Sequence, residues 1–201
     1  MRVAFLFPFV LASCALGGGK NDAPDLVARG NLCGVPGIEG TVIGTVEGPG
    51  ACGISNAVSV TSVGGVTLSQ ASSMNCKTAR VLHSWTTTQA IPTIGNTGGG
   101  VRSLKVAAHY ACRTRNHQRG ARLSEHGKGN AIDISEFRLA DGSSISVLED
   151  WGGGKRGKIL RNLHKSACGP FGTVLGPESD RFHKTHFHLD TADHRGGSYC
   201  R

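Results

Sequence analysis

Residues 57–69, AVSVTSVGGVTLS, alternate apolar and polar side chains around Gly64-Gly65, a pattern that predicts a short strand or hairpin. The period then changes. From Ser72 or Ser73 to Gln89, Met74, Thr78, Leu82 and Trp85 fall at near-helical spacing, with either serine a candidate N-cap. IPTIGNTGGG (91–100) is a cluster of breakers. VRSLKVAAHYAC (101–112) reads as a strand with Leu104, Val106, Ala108, Tyr110 and Cys112 on one face. NAIDISEF (130–137) predicts another strand, and Asp141-Gly142 turns into a further one, SISVL (144–148). KRGKILRNLHKSAC (155–168) predicts an amphipathic helix with Ile159, Leu160, Leu163 and Ala167 on one side, stopped by Gly169-Pro170. GTVL and THFHLD supply late strands, whereas residues 26–56 read as Gly-rich and irregular. There is no internal repeat. The sum is an α+β domain, a small and mostly antiparallel sheet with helices to one side.

A chain of 201 residues can bury one real core. Its first residues read as an export signal. Arg2 precedes the apolar run VAFLFPFVLA, too short to span a bilayer. The run ends in LASC, which resembles a bacterial lipobox with Cys14 as the lipidated residue; the alternative is an ordinary signal peptide cut after SCA. The expected division is a lipoprotein-type signal peptide at 1–13, a tether at 14–29 whose glycines, Pro24 and charges suit a linker, and one domain at 30–201. With Cys14 set aside for a lipid, six of the seven cysteines remain. In an exported chain that even number reads as up to three disulfides, with fifteen pairings open. Cys168 and Cys200 bracket the last part of the chain and would staple its tail. No CxxC is present, which argues against a thiolate zinc site or a thioredoxin-type centre. The net charge of +8 favours anionic surroundings. No Lys/Arg run or aromatic-basic interleaving accompanies it, and aromatics make up 5% of the chain, so nucleic acid is not the expected partner.

Two stretches carry candidate chemistry. RLSEHGKGNAIDIS (122–135) places His126 and Asp133 seven positions apart across Gly127 and Gly129. RFHKTHFHLD (181–190) carries His183, His186 and His188. On a strand the side-chain period is two, so His186 and His188 share a face while Phe187 and Leu189 point to the core. Asp133 lies between Ile132 and Ile134 and takes the face opposite to theirs. Two strands can thus present Asp133, His186 and His188 to one cleft, with His126 folding over from the loop. A His-Asp-His set is the donor type of a catalytic zinc, which keeps a fourth position open. His83, His109, His117, His164 and His194 read as surface or satisfied core residues. Asp190 shares the face of His188 and is a candidate to orient an imidazole.

SEHGKGNAID resembles the S-x-H-x-x-G-x-A-x-D motif of the LAS metallopeptidases (lysostaphin, D-Ala-D-Ala peptidase and murein endopeptidase types), with a one-residue difference in detail. HFH resembles the partner H-x-H motif, and HKTHFH the H-x-x-H-x-H pattern of penicillin-insensitive murein endopeptidases. More closely, RLSEHGKGNAIDI, ACGPFGTVLGP and HFHLDTADHRGGSYCR look like the bacterial extensin-like C-terminal family, over roughly residues 30–201. This resemblance implies a disulfide-stapled, LAS metallopeptidase-like (hedgehog/DD-peptidase) fold. It implies His126, Asp133 and His188 as Zn2+ ligands, His186 as general base and Arg113 as the oxyanion-stabilising cation, with Arg115 the second choice. Ser124 and His183 are candidate substrate-binding residues; Ser124 equally suits a turn. Thr185 stands where the D-Ala-D-Ala carboxypeptidase branch has a glutamate base, which points instead to the H-x-H branch. The expected activity is a zinc-dependent peptidoglycan endopeptidase acting on stem-peptide cross-links. Its expected place is the periplasmic cell envelope, anchored by a lipid on Cys14. The alternative is a non-catalytic peptidoglycan-binding or structural zinc lipoprotein on the same fold.

Overall fold

The computed structural model describes residues 30–201 together with Met1. The expected signal peptide, Cys14 and the tether lie outside the described residues. Nine strands form one sheet in the order β1-β2-β3-β4-β5-β8-β7-β9, with β6 pairing β5. They are β1 (Ile38–Glu47), β2 (Gly53–Val63), β3 (Val66–Asn75), β4 (Val101–Ala108), β5 (Ala131–Leu139), β6 (Ser144–Ser146), β7 (Thr173–Leu175), β8 (Phe187–Asp190) and β9 (Tyr199–Cys200). Neighbours are antiparallel except β3 with β4 and β7 with β9. The α+β expectation therefore holds, with a mostly antiparallel sheet.

The hairpin at Gly64-Gly65 is present but longer than the sequence pattern predicts. Both glycines have positive φ, as a two-residue turn matched to strand twist requires. β3 runs on to Asn75 because its pairing with β2 continues to Ala57↔Asn75. Asn75, not a serine, therefore caps helix α1 (Cys76–Trp85), its side chain accepting from Thr78 N–H at 2.8 Å. Helicity continues beyond α1 through a π-helical turn, Thr86–Ala90, into the short α2 (Ile91–Ile94), where a breaker cluster was expected. Pro92 stands at the start of α2, directly after the π-helical turn. β1 occupies the stretch read as irregular. It is an edge strand with little buried surface, so it carries no apolar alternation.

β4 ends at Ala108, leaving Tyr110 and Cys112 beyond the strand. β6 stops at Ser146, and Val147 and Leu148 open the short helix α3 (Val147–Asp150). Helix α4 (Gly154–Ala167) buries the expected Ile159, Leu160, Leu163 and Ala167. One core joins α1 and α4 to the sheet. Trp85 packs edge-on against Phe137 and Phe171, and Phe187 meets Phe137, Trp151 and His164. Phe187 thus faces the helices, which leaves His188 on the opposite face of the same strand.

Three disulfides staple this frame: Cys33–Cys76, Cys52–Cys112 and Cys168–Cys200. The last is the pair expected from the sequence. A disulfide typically stabilises a small domain by about 2–4 kcal/mol.

Candidate metal centre

β5 lies between β4 and β8, and its register places Asp133 directly opposite His188, with Ile132 opposite Leu189 and Ile134 opposite Phe187. The alternation read from the sequence is therefore what sets the site. The isoleucines, Phe187 and Leu189 are fully buried in the core, and Asp133 and His188 project together on the other face.

His126 comes from a single 3-10 turn, Glu125–Lys128, that follows Ser124. Gly129 ends this turn with φ +67°, and a Cβ there would lie 2.4 Å from Ile54 Cδ1, so only glycine fits. The loop is tied to the cap of α1. Asn75 N–H donates to the Gly129 carbonyl (2.9 Å), Asn75 Nδ2 donates to Asn130 Oδ1, and Asn130 Nδ2 donates to Glu125 Oε2 (2.6 Å). The segment after β4 supports it from the other side. Ala111 N–H donates to the His126 carbonyl (3.3 Å) and Ser124 N–H to the Arg113 carbonyl (3.0 Å).

Three donor atoms converge. His126 Nε2 lies 3.1 Å from Asp133 Oδ1 and 3.1 Å from His188 Nδ1, and His188 Nδ1 lies 3.0 Å from Asp133 Oδ1. All three residues are buried. The outer atoms fix which tautomers are present. His126 Nδ1–H donates to the His109 carbonyl (2.7 Å), leaving Nε2 with its lone pair inward. His188 Nε2–H donates to Asp190 Oδ2 (3.0 Å), leaving Nδ1 inward. Two imidazole lone pairs and a carboxylate oxygen thus point at one another. Such a cluster needs a cation or a proton at its centre.

Zinc suits both donors and spacing. Tetrahedral coordination at about 2.0–2.2 Å puts donor atoms about 3.3–3.6 Å apart, a few tenths of an ångström wider than here. In the metal-free cluster a proton takes that place. Burial opposes charge on His188, but hydrogen bonds to Asp133 and Asp190 outweigh it and raise its pKa to about 9. Burial likewise works against the Asp133 carboxylate, and the two histidines overcome it, lowering its pKa.

The other expected residues divide. The cluster opens on a cavity of about 650 Å³ whose lining includes Arg113, Arg115, Ser124 and His183 along with His126 and His188. Ser124 is buried and flanks the 3-10 turn, so it is both a turn residue and a cavity residue. His183 is buried, and its Nδ1–H donates to Asp180 Oδ1 at 2.8 Å. His186 precedes β8 and is not part of the cavity lining. Its Nε2 lies 3.5 Å from Asp133 Oδ2, and its ring centroid is 5.3 Å from that of His183. Burial lowers the pKa of His186, with Asp133 opposing the shift.

Three contributors escaped the sequence reading. His109 acts through its backbone carbonyl, for which no side-chain pattern exists. Asp180 stands three residues before His183, a spacing that could have signalled the pair. Residues 196–199 also line the cavity, and the sequence reading assigned them no role.

Searches of curated proteins and of solved structures return no significant match. The model of the family described as Extensin-like protein C-terminus matches residues 40–201, four-fifths of the chain and all of the site, and the chain belongs to that family.

Proposed function

We propose that the protein is a zinc-dependent peptidoglycan hydrolase that cuts stem-peptide cross-links, with a LAS-type metallopeptidase site. The observation that carries this reading is the convergence of His126 Nε2, Asp133 Oδ1 and His188 Nδ1 within 3.1 Å of one another, with both histidines lining an open cavity. Zinc, when bound there, supplies a Lewis acid and an ionised water near neutral pH. The chain supplies the rest. His109 and Asp190 hold the two imidazoles in the metal-binding tautomer. His186, adjacent to Asp133, accepts and returns the proton. Arg113 stabilises the developing oxyanion from the cavity wall. Ser124 and His183 contact the peptide. The export signal and a lipid on Cys14 would keep the enzyme at the periplasmic face of a membrane, and the net charge of +8 would hold it near the anionic wall.

One observation favours a second reading, a non-catalytic zinc protein that binds peptidoglycan: His186 does not line the cavity. Incubation of purified sacculi with the zinc-loaded protein separates the two. Muropeptide mass spectrometry is expected to show cross-linked dimers converted to monomers by the wild type and untouched by His188→Ala. Identical products from both proteins would remove the hydrolase reading.

A further inference from the structure

The cavity wall carries more positive charge than it uses. Its acidic groups are engaged: Asp180 Oδ1 accepts from His183 (2.8 Å) and from Phe182 N–H (2.7 Å). Glu125 takes Lys128 (2.9 Å) and Asn130 (2.6 Å). Asp190 takes His188 and Ala192 N–H, each at 3.0 Å. Arg113 and Arg115 line the same cavity, and among the described residues neither comes within ion-pair distance of a carboxylate.

The segment that carries Arg115 is held in place. Thr114 and Leu123 form an antiparallel bridge, Arg115 N–H donates to the Arg122 carbonyl (2.9 Å), and Thr114 Oγ1–H donates to the Gln118 carbonyl (2.7 Å). The Cys52–Cys112 bond anchors its base. Asn116 and His117, the next two residues, both adopt left-handed backbone (φ 52° and 55°), a conformation unfavourable for non-glycine residues and retained where the surroundings impose it. An exposed, uncompensated guanidinium on an ordered loop that lines a cavity is a preformed anion contact.

We propose that Arg115 is a specificity residue that binds a carboxylate of the cross-linked stem peptide beside the scissile bond. This rests on the peptidase reading for the identity of the ligand, but not on turnover. Two peptide groups offer that chemistry, the side-chain carboxylate of a diamino-diacid at the cross-link and a C-terminal carboxylate. Arg113 keeps the separate task of facing the reacting carbonyl.

The test is calorimetric binding to the zinc-loaded protein of cross-linked stem peptides N-methylated at the scissile amide. Three forms are compared: both carboxylates free, the diacid side chain amidated, and the C-terminus amidated. The wild type is expected to bind the free form about tenfold more tightly than one amidated form. The form that loses affinity identifies the carboxylate. Arg115→Gln is expected to abolish the difference and Arg115→Lys to keep part of it. An undiminished difference in Arg115→Gln, no difference in the wild type, or no binding of any form would overturn the proposal. Tight, carboxylate-dependent binding without cleavage of the unmethylated peptide would support it and remove only the hydrolytic reading.

Discussion

The decisive residues act through what stands behind them. Asp190 touches no metal position; it holds His188 Nε2–H and so keeps Nδ1 directed at Asp133. Asp190→Asn is expected to weaken zinc binding about 10- to 100-fold with unchanged far-UV circular dichroism, read by chelator competition. The pH dependence follows from His188 and Asp133. Raised from 6.5 to about 9, His188 stabilises the metal-free fold fully below pH 6.5, and that contribution is lost as pH climbs through 9. Asp133, lowered from 3.8, contributes above pH 3.8 and ceases to as pH falls through its depressed value. The chelated protein should therefore lose thermal stability between pH 6.5 and 9. Zinc, which must displace the His188 proton, should restore more of it as pH rises in the same window. Melting temperatures that rise across that window in chelator would contradict this. At this scale the sequence was highly legible for His126, Asp133 and His188. Period-two alternation about Ile132, Ile134, Phe187 and Leu189 assigns the faces of Asp133 and His188 without knowledge of the fold, whereas His126, on a turn, was marked only by its motif. It was silent on His109, because a carbonyl acceptor is common to every residue type.

Among elements, the loop that delivers His126 has the least freedom. Gly129 combines left-handed backbone with contact against Ile54, so Gly129→Ala should cost about 2 kcal/mol or more in chemical denaturation and displace His126 from Asp133. The segment behind this loop is clamped by Cys52–Cys112, and the same segment supplies the His109 carbonyl, Ala111 N–H and the Arg113 carbonyl. Replacing that pair with serines should therefore lower zinc affinity. Replacing Cys33–Cys76, which joins the chain's early turn to the start of α1, should lower stability and leave zinc affinity near the wild-type value. Equal zinc affinities in the two double variants would contradict a positioning role for Cys52–Cys112. Elements were read best where one face is buried. β5 and α4 emerged at nearly their observed boundaries because their apolar periodicity is complete. β1 was missed because an edge strand buries little, and the start of α1 was misplaced because a long-range pairing, β2 with β3, extends β3 past the local helical signal.

At the scale of the molecule, the sheet separates two tasks. Helices and the Trp85–Phe137–Phe187 core occupy one face, and the other face presents charged groups to the cavity. Burial on one side supplies the rigidity that lets three ionisable groups sit within 3.1 Å on the other. The most direct test of this account is metal content combined with zinc K-edge absorption of the purified protein. The expected result is one zinc per chain, bound by two imidazoles and one carboxylate at about 2.0–2.2 Å with one further exchangeable light-atom ligand, and lost in His126→Ala. A protein that takes up no zinc, or whose zinc survives His126→Ala, would contradict it.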